Sequence, residues 1–300
     1  MPIPPRRHMS SNTRVSMLNT SPSITTASLA TPKRSVLGEK NPRADLLIVD
    51  TFREERDFEA MLAHAQEAAR RYPEERRFRL LQAQALGRLG RIEEALRLLD
   101  SLLTGLSEDI EVLSTKALVL SDAERYAEAE AVVQEALRRD PRNNGLLIQL
   151  SLIQERLGRF AEAEATLRQV LERDADNATA LNNLGYYLAE RGERLDEALE
   201  LIRRAVNIEP TNGAFLDSLG WVYFQLGNLD EAERYLEQAV LYQPRDATIH
   251  EHLGDLHQRR GRLDQALRAY ERALQLATES RERERLQQKL EKLRQVKGQK

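Results

Sequence analysis

Three histidines, His250, His252 and His257, lie close together with Glu251 and Asp255 among them. Imidazoles and carboxylates gathered on one helix are the raw material of a metal site. A zinc-binding H-E-x-x-H helix, however, sets its two histidines four apart with the glutamate directly after the first. Here Glu251 separates histidines only two apart, and that geometry is lost. His250 and His257 also occupy the places that Leu216 and Tyr223 fill one repeat earlier. Packing is therefore the stronger reading, and no metal is expected. The chain has no cysteine, which excludes a disulfide scaffold, a zinc-thiolate or iron–sulfur site and a cysteine nucleophile. Neither a glycine-rich phosphate loop nor a Gly-x-Ser-x-Gly elbow occurs. The many carboxylates alternate with arginines at helical i,i+4 spacing, the pattern of a solvated face. No catalytic residue, cofactor or small-molecule substrate is expected, and the chain is not read as an enzyme.

The elements that would have to position any site are helices. Of the 300 residues, 31% are charged and only 5% aromatic, which argues against an all-β chain. One phrase returns along the sequence: Leu89-Gly90-Arg91-Ile92-Glu93-Glu94-Ala95, Leu157-Gly158-Arg159-Phe160-Ala161-Glu162-Ala163 and Leu226-Gly227-Asn228-Leu229-Asp230-Glu231-Ala232. Arg260-Gly261-Arg262-Leu263-Asp264-Gln265-Ala266 repeats it one unit after the third. Weaker copies stand at Glu124–Ala129, without the glycine, and at Arg191–Ala198, with one extra residue. Asp140-Pro141, Glu209-Pro210 and Gln243-Pro244 close units. Within residues 213–246, Leu216, Leu219, Gly220 and Tyr223 share one helical face, and Ala232, Leu236, Ala239 and Val240 form a second stripe. Gly227 suits a left-handed helix end, while Asp230 and Glu231 suit the positive start of the next helix. Each unit reads as an antiparallel hairpin that must stack on its neighbours to bury both faces.

This pattern resembles the tetratricopeptide repeat. The family's Leu-Gly pair stands at Leu184-Gly185, Leu219-Gly220 and Leu253-Gly254. Its early small residue of the second helix stands at Ala95, Ala129, Ala163, Ala198, Ala232 and Ala266. Its closing proline is Pro141, Pro210 and Pro244. The resemblance implies an all-α, right-handed α-solenoid of about seven hairpins: a degenerate unit at 42–75, then 76–109, 110–143, 144–177, 178–212, 213–246 and 247–280. The degenerate unit keeps Phe58, Ala68 and Pro73 but has Met61 at the small-residue place. The first three clear units depart from the family, carrying Gln82-Ala83, Lys116-Ala117 and Leu150-Ser151 in place of Leu-Gly. Residues 281–300 read as a charged capping helix with a narrow stripe of Leu286, Leu290, Leu293 and Val296.

Residues 1–41 differ in character. They hold twelve Ser or Thr, five Pro and six Arg or Lys against the single Glu39, and are expected to be a disordered basic tail. The tail is then net +5 and the rest of the chain −8 of the total −3. Competing readings are an upstream start site, since Met9 or Met17 could begin a shorter chain, a transit peptide, and a functional arm or truncated export leader. The chain as written reads as cytoplasmic, with a periplasmic or envelope location if its start is misassigned. An acidic repeat region with arginines and glutamates mixed argues against nucleic acid, and no apolar run approaches a spanning helix.

In the tetratricopeptide family the first helices line a concave groove that holds peptides or partner helices. Carried over place by place, the groove comprises Leu80, Gln84, Ser114, Leu118, Ile148, Leu152, Asn182, Asn183, Tyr186, Asp217, Trp221, Phe224, Glu251, His252 and Arg259. The resemblance implies a non-catalytic scaffold or adaptor. Tyr186, Trp221 and Phe224 would be exposed apolar anchors, with Asn182, Asn183, Asp217 and Arg259 fixing register; the alternative is that these rings pack on the next hairpin and rigidify the curve. The Lys/Asn pairs with which some family members clamp a terminal carboxylate are replaced by Leu80/Gln84, Ser114/Leu118 and Asn182/Tyr186, so recognition of chaperone tails is disfavoured. Units 178–246 look more narrowly like bacterial cell-envelope repeat proteins, some of them adaptors for proteases or assembly machinery. The main alternative is a structural solenoid that self-associates or organises an assembly.

Overall fold

A computed structural model of the chain describes residues 41–105, 109–277 and 280–298. The expected tail, residues 1–40, lies outside the described residues. Fifteen helices and no strand occur among those described. They are α1 (Pro42–Glu54) and α2 (Phe58–Arg71), α3 (Arg76–Arg88) and α4 (Ile92–Leu102), α5 (Ile110–Asp122) and α6 (Tyr126–Arg139), and α7 (Asn144–Arg156) and α8 (Phe160–Arg173). The series continues with α9 (Ala178–Glu190) and α10 (Leu195–Ile208), α11 (Gly213–Gln225) and α12 (Leu229–Tyr242), α13 (Ala247–Arg259) and α14 (Leu263–Leu276), and ends with α15 (Ser280–Gly298). Each consecutive pair is one hairpin, and the hairpins stack in sequence as a solenoid.

The two helix types start differently. Four of the first helices open after an Asx residue whose side chain accepts from the next turn: Asn143 from the Leu146 N–H, Asn177 from Ala180, Asn212 from Ala214 and Phe215, and Asp246 from Thr248 and Ile249. From α4 onward, the second helices lack such a cap. In four of them an arginine precedes the helix and pairs with a glutamate one turn in, as in Arg91–Glu94, Arg125–Glu128, Arg159–Glu162 and Arg194–Glu197. Carboxylates in the first turn also face the positive helix end.

Inside each hairpin the six repeated alanines, Ala95 through Ala266, are fully buried. Opposite them the C-terminal hairpins cross at glycine. A methyl added at Gly220 would meet Leu236 at 2.7 Å, and one at Gly254 would meet the Tyr270 ring at 2.4 Å. The N-terminal hairpins carry Ala83, Ala117 and Ser151 at this place instead, all fully buried. At the degenerate second helix, Met61 is buried in the alanine place.

Helix α4 ends at Leu102, and Thr104 and Gly105 beyond it are tied to the fully buried Asp109. Its carboxylate accepts from the Thr104 and Gly105 N–H groups, the Thr104 hydroxyl and the guanidinium groups of Arg76 and Arg139. Burial alone would raise its pKa, but these donors hold it well below the usual carboxylate range. Helix α15 packs on α14 through buried Leu286, Leu290 and Leu293, while Val296 is exposed. Gln287-Gln288 stand where α13 carries Leu253-Gly254, so the face that would receive a second helix is polar.

Candidate partner-binding cleft

First helices of successive hairpins lie against one another, α3 on α5, α5 on α7, α9 on α11 and α11 on α13. The inner row of the solenoid is therefore made of first helices. Along it, the two halves of the chain behave differently.

In the C-terminal half the row is closed by its own side chains. His252 Nδ1 lies 2.9 and 3.0 Å from the two carboxylate oxygens of Asp217, one hairpin earlier. The His252 ring stacks on Trp221 at 4.1 Å, Trp221 stacks on Phe224 at 5.0 Å, and Tyr186 tilts against His252 at 6.4 Å. Burial alone would push the His252 imidazolium pKa down, but the Asp217 carboxylate more than offsets it and raises it above its ordinary value. Glu251, also buried, is chelated by Arg285 at 2.7 and 2.9 Å and by Lys289 at 2.8 Å, both from α15. Lys289 also bonds Asp255 at 2.7 Å, and the Tyr270 hydroxyl donates to the same carboxylate.

For Trp221 the exposed-anchor expectation is corrected, and the alternative of packing on the next hairpin holds. Trp221 is only 8% exposed, and Asn182, Asp217, Glu251 and His252 are buried with it. A place-by-place transfer treats each hairpin's inner face as open. Successive first helices instead approach closely enough for one ring to fill the space before the next. Asn183, Tyr186 and Phe224 remain half-buried and Arg259 exposed. Trp221, Phe224 and Arg259 still border an open depression of about 550 Å³. His250 and His257 are half-buried rather than core residues. His250 Nε2 lies 3.0 Å from the Pro244 carbonyl oxygen.

The N-terminal half is open. Helices α1, α3, α5 and α7 enclose a cleft of about 660 Å³. Leu46, Leu80, Leu118 and Ile110 supply apolar lining, with Gln84 and Ser114 beside them and Asp50, Arg53, Arg77 and Glu111 around the edge. Ser114 Oγ donates to Gln149 Oε1 at 3.0 Å, and Gln149 Nε2 returns a bond to the Ser114 carbonyl at 2.9 Å. This pair occupies the same cross-hairpin place as Asp217 and His252, with a separation of 35 in both cases. Beyond the cleft, Leu152 is 44% exposed, while Ile148 is half-buried. Sequence reasoning placed Leu80, Gln84, Ser114 and Leu118 here. It missed Gln149 and the charged edge, for which the recurring cross-hairpin spacing was the available signal.

Stacked helical hairpins with buried small residues at each crossing and an inner row of first helices define a helical-repeat scaffold. A family model described as "Tetratricopeptide repeat" matches residues 148–214 and 218–281, and one described as "Psidin, N-terminal TPR repeats region" matches residues 50–166. The chain belongs to the tetratricopeptide repeat family. It is 35% identical over 151 residues to the TPR repeat-containing protein PA4667 of Pseudomonas aeruginosa, a match over 50% of this chain but only 26% of that protein. Among solved structures, a tetratricopeptide repeat protein from Parabacteroides merdae aligns over 84% of this chain and 98% of its own, at TM-score 0.61 and 18% identity. The Cut9 and Hcn1 hetero-tetramer of the APC/C gives 0.66 over 84% of this chain and 49% of that one, at 16% identity. The TPR protein TTC0263 of Thermus thermophilus gives 0.55 over 61% of this chain and 98% of its own, at 25% identity. The fold is that of protein–protein interaction scaffolds, and none of the described helices is long and apolar enough to cross a membrane.

Proposed function

We propose that the protein is a non-catalytic adaptor that holds an extended or helical segment of a partner protein in the cleft between α1, α3, α5 and α7. The observation carrying this reading is the combination of open volume, leucine lining and charged edge in one place, the make-up of a peptide-holding groove. Leu46 and Leu118, half-buried in the lining, would cover the partner's apolar side chains, and Asp50, Arg53, Arg77 and Glu111 would set its register. In the C-terminal half, the residues first read as anchors support the cleft by keeping the inner row rigid. Phe224 and Arg259, with the edge of Trp221, border space that a partner could extend into. A further form of this reading is an envelope adaptor that recruits a protease or assembly enzyme.

The test is capture from the source lysate with the full chain and with Leu118→Arg, which places a charge in the cleft lining. A partner held by the parent and bound at least about tenfold more weakly by a folded Leu118→Arg variant, roughly 1.4 kcal/mol or more, supports the cleft. Equal capture by both sinks it. Self-association is favoured by one separate observation. Ile208, Leu241 and Tyr242, at the ends of α10 and α12, are 45%, 74% and 47% exposed. Sedimentation of Leu241→Arg beside the parent separates that reading, because only an assembly built on this edge would dissociate.

A further inference from the structure

The residue fourteen places after the start of each first helix closes the hairpin turn with a left-handed backbone. In five hairpins it is glycine, namely Gly90, Gly158, Gly192, Gly227 and Gly261, with φ from 64° to 80°. In the other two it is Arg56 and Glu124, at φ 58° and 57°. A side chain there is disfavoured by the contact of its Cβ with the following carbonyl, so the exceptions call for a reason. Both reach across the solenoid. Arg56 Nη1 donates to the carbonyl oxygens of Arg245 at 3.4 Å and Leu276 at 3.3 Å, 189 and 220 residues away, and Arg245 Nη1 donates back to the Glu55 carbonyl at 2.7 Å. Glu124 lies 3.7 Å from the guanidinium of Arg281, at the start of α15. Among the described residues one further non-glycine residue has this backbone, Arg194, which is the extra residue of its hairpin and pairs nearby, with Glu164 and Glu197.

We infer that Arg56 and Glu124 form a two-point latch that joins the first and third hairpin turns to the last hairpins, closing one turn of the solenoid on itself. At these two turns the left-handed residue is the one whose side chain makes the closure. The named contacts are polar and Arg281 is largely exposed, so the latch is weak and reversible. Its state sets the spacing of α1, α3 and α5 relative to the C-terminal half. The closure stands whether or not a partner occupies the N-terminal cleft.

The absence of native cysteine makes the test direct. Cysteines at the exposed positions Ala63 on α2 and Gln238 on α12 would carry spin labels in the full chain, and pulsed dipolar spectroscopy would read their separation. The variant is Arg56→Gly with Glu124→Gly, which installs the residue the other turns use and so spares the hairpins. A single narrow distance in the parent that becomes longer and broader in the variant, with helical circular dichroism and thermal midpoint unchanged or improved, supports the latch. The charge swap Glu124→Arg with Arg281→Glu should return the parent distribution on an otherwise intact Arg56. A distribution identical in parent and glycine variant, or already broad in the parent, overturns it.

Discussion

At His252 a buried imidazole is held between a carboxylate and an indole, and its proton governs both contacts. The His252 pKa is raised above the ordinary 6.5. The stabilisation it gives is therefore fully present below that value and is lost as pH rises through the folded pKa. Trp221 is the only tryptophan, and it stacks on this ring. Protonated imidazole quenches indole emission. Intrinsic fluorescence should thus rise with pH, with a midpoint above 6.5, and the transition should vanish in His252→Asn. A flat profile in the parent would mean that His252 is not charged beside Asp217. The same residues show what a sequence read in repeat register leaves undecided. Trp221 and His252 both sit at inner-face places, and nothing in either hairpin alone decides between an open ring and one packed on the next helix. Only the pairing of complementary chemistries at one recurring spacing, Asp217 with His252 and Ser114 with Gln149, carried that information. Asp109 was invisible for a different reason. Its role comes from the connection after α4, where the repeat pattern lapses.

At the scale of the element, the hairpins follow from rules that sequence displays openly. The spacing of small residues, the Asx starts and the turn glycines all report on contacts within a single repeat, and there the reading as stacked helical hairpins holds. Gly254 tests how tight those crossings are. Gly254→Ala raises helix propensity by up to about 1 kcal/mol, yet its methyl would sit 2.4 Å from the Tyr270 ring, whose hydroxyl is tied to Asp255 and Gln258. Overpacking of this kind costs about 1–3 kcal/mol, so the net change should be destabilising, read as a lower denaturant midpoint. Gain of stability would show that the ring can withdraw without losing its bonds.

Across the whole molecule, stability is a sum over neighbouring contacts, and damage should stay where it is made. Leu286→Ala with Leu290→Ala empties the seat of α15, at a cost of about 2–5 kcal/mol per leucine. It also loosens the cations that hold buried Glu251. Amide exchange should rise in α13 and α14 while α3 to α6 keep their protection. A uniform rise along the chain would instead identify the solenoid as one cooperative block. The long-range closure through Arg56 and Glu124 was only half legible beforehand. The missing glycine at Glu124 shows in the sequence, but its partner Arg281 lies several repeats further along the chain and no local rule points to it.

The polar outward face of α15 has a meaning for how such a chain can change in length. Gln288 puts a long polar side chain at the crossing place where the hairpins carry glycine, alanine or serine, so a second helix could not approach α15 as closely as in those hairpins. A duplicated repeat fits the stack upstream of it. Every insertion between the latched turns and the last hairpins would carry Arg281 away from Glu124 and Leu276 away from Arg56. The tally of hairpins is thus a fitted dimension of the protein, gauged by the reach of two side chains. Lineages that gain or lose one repeat should be found to have restored glycine at both turns.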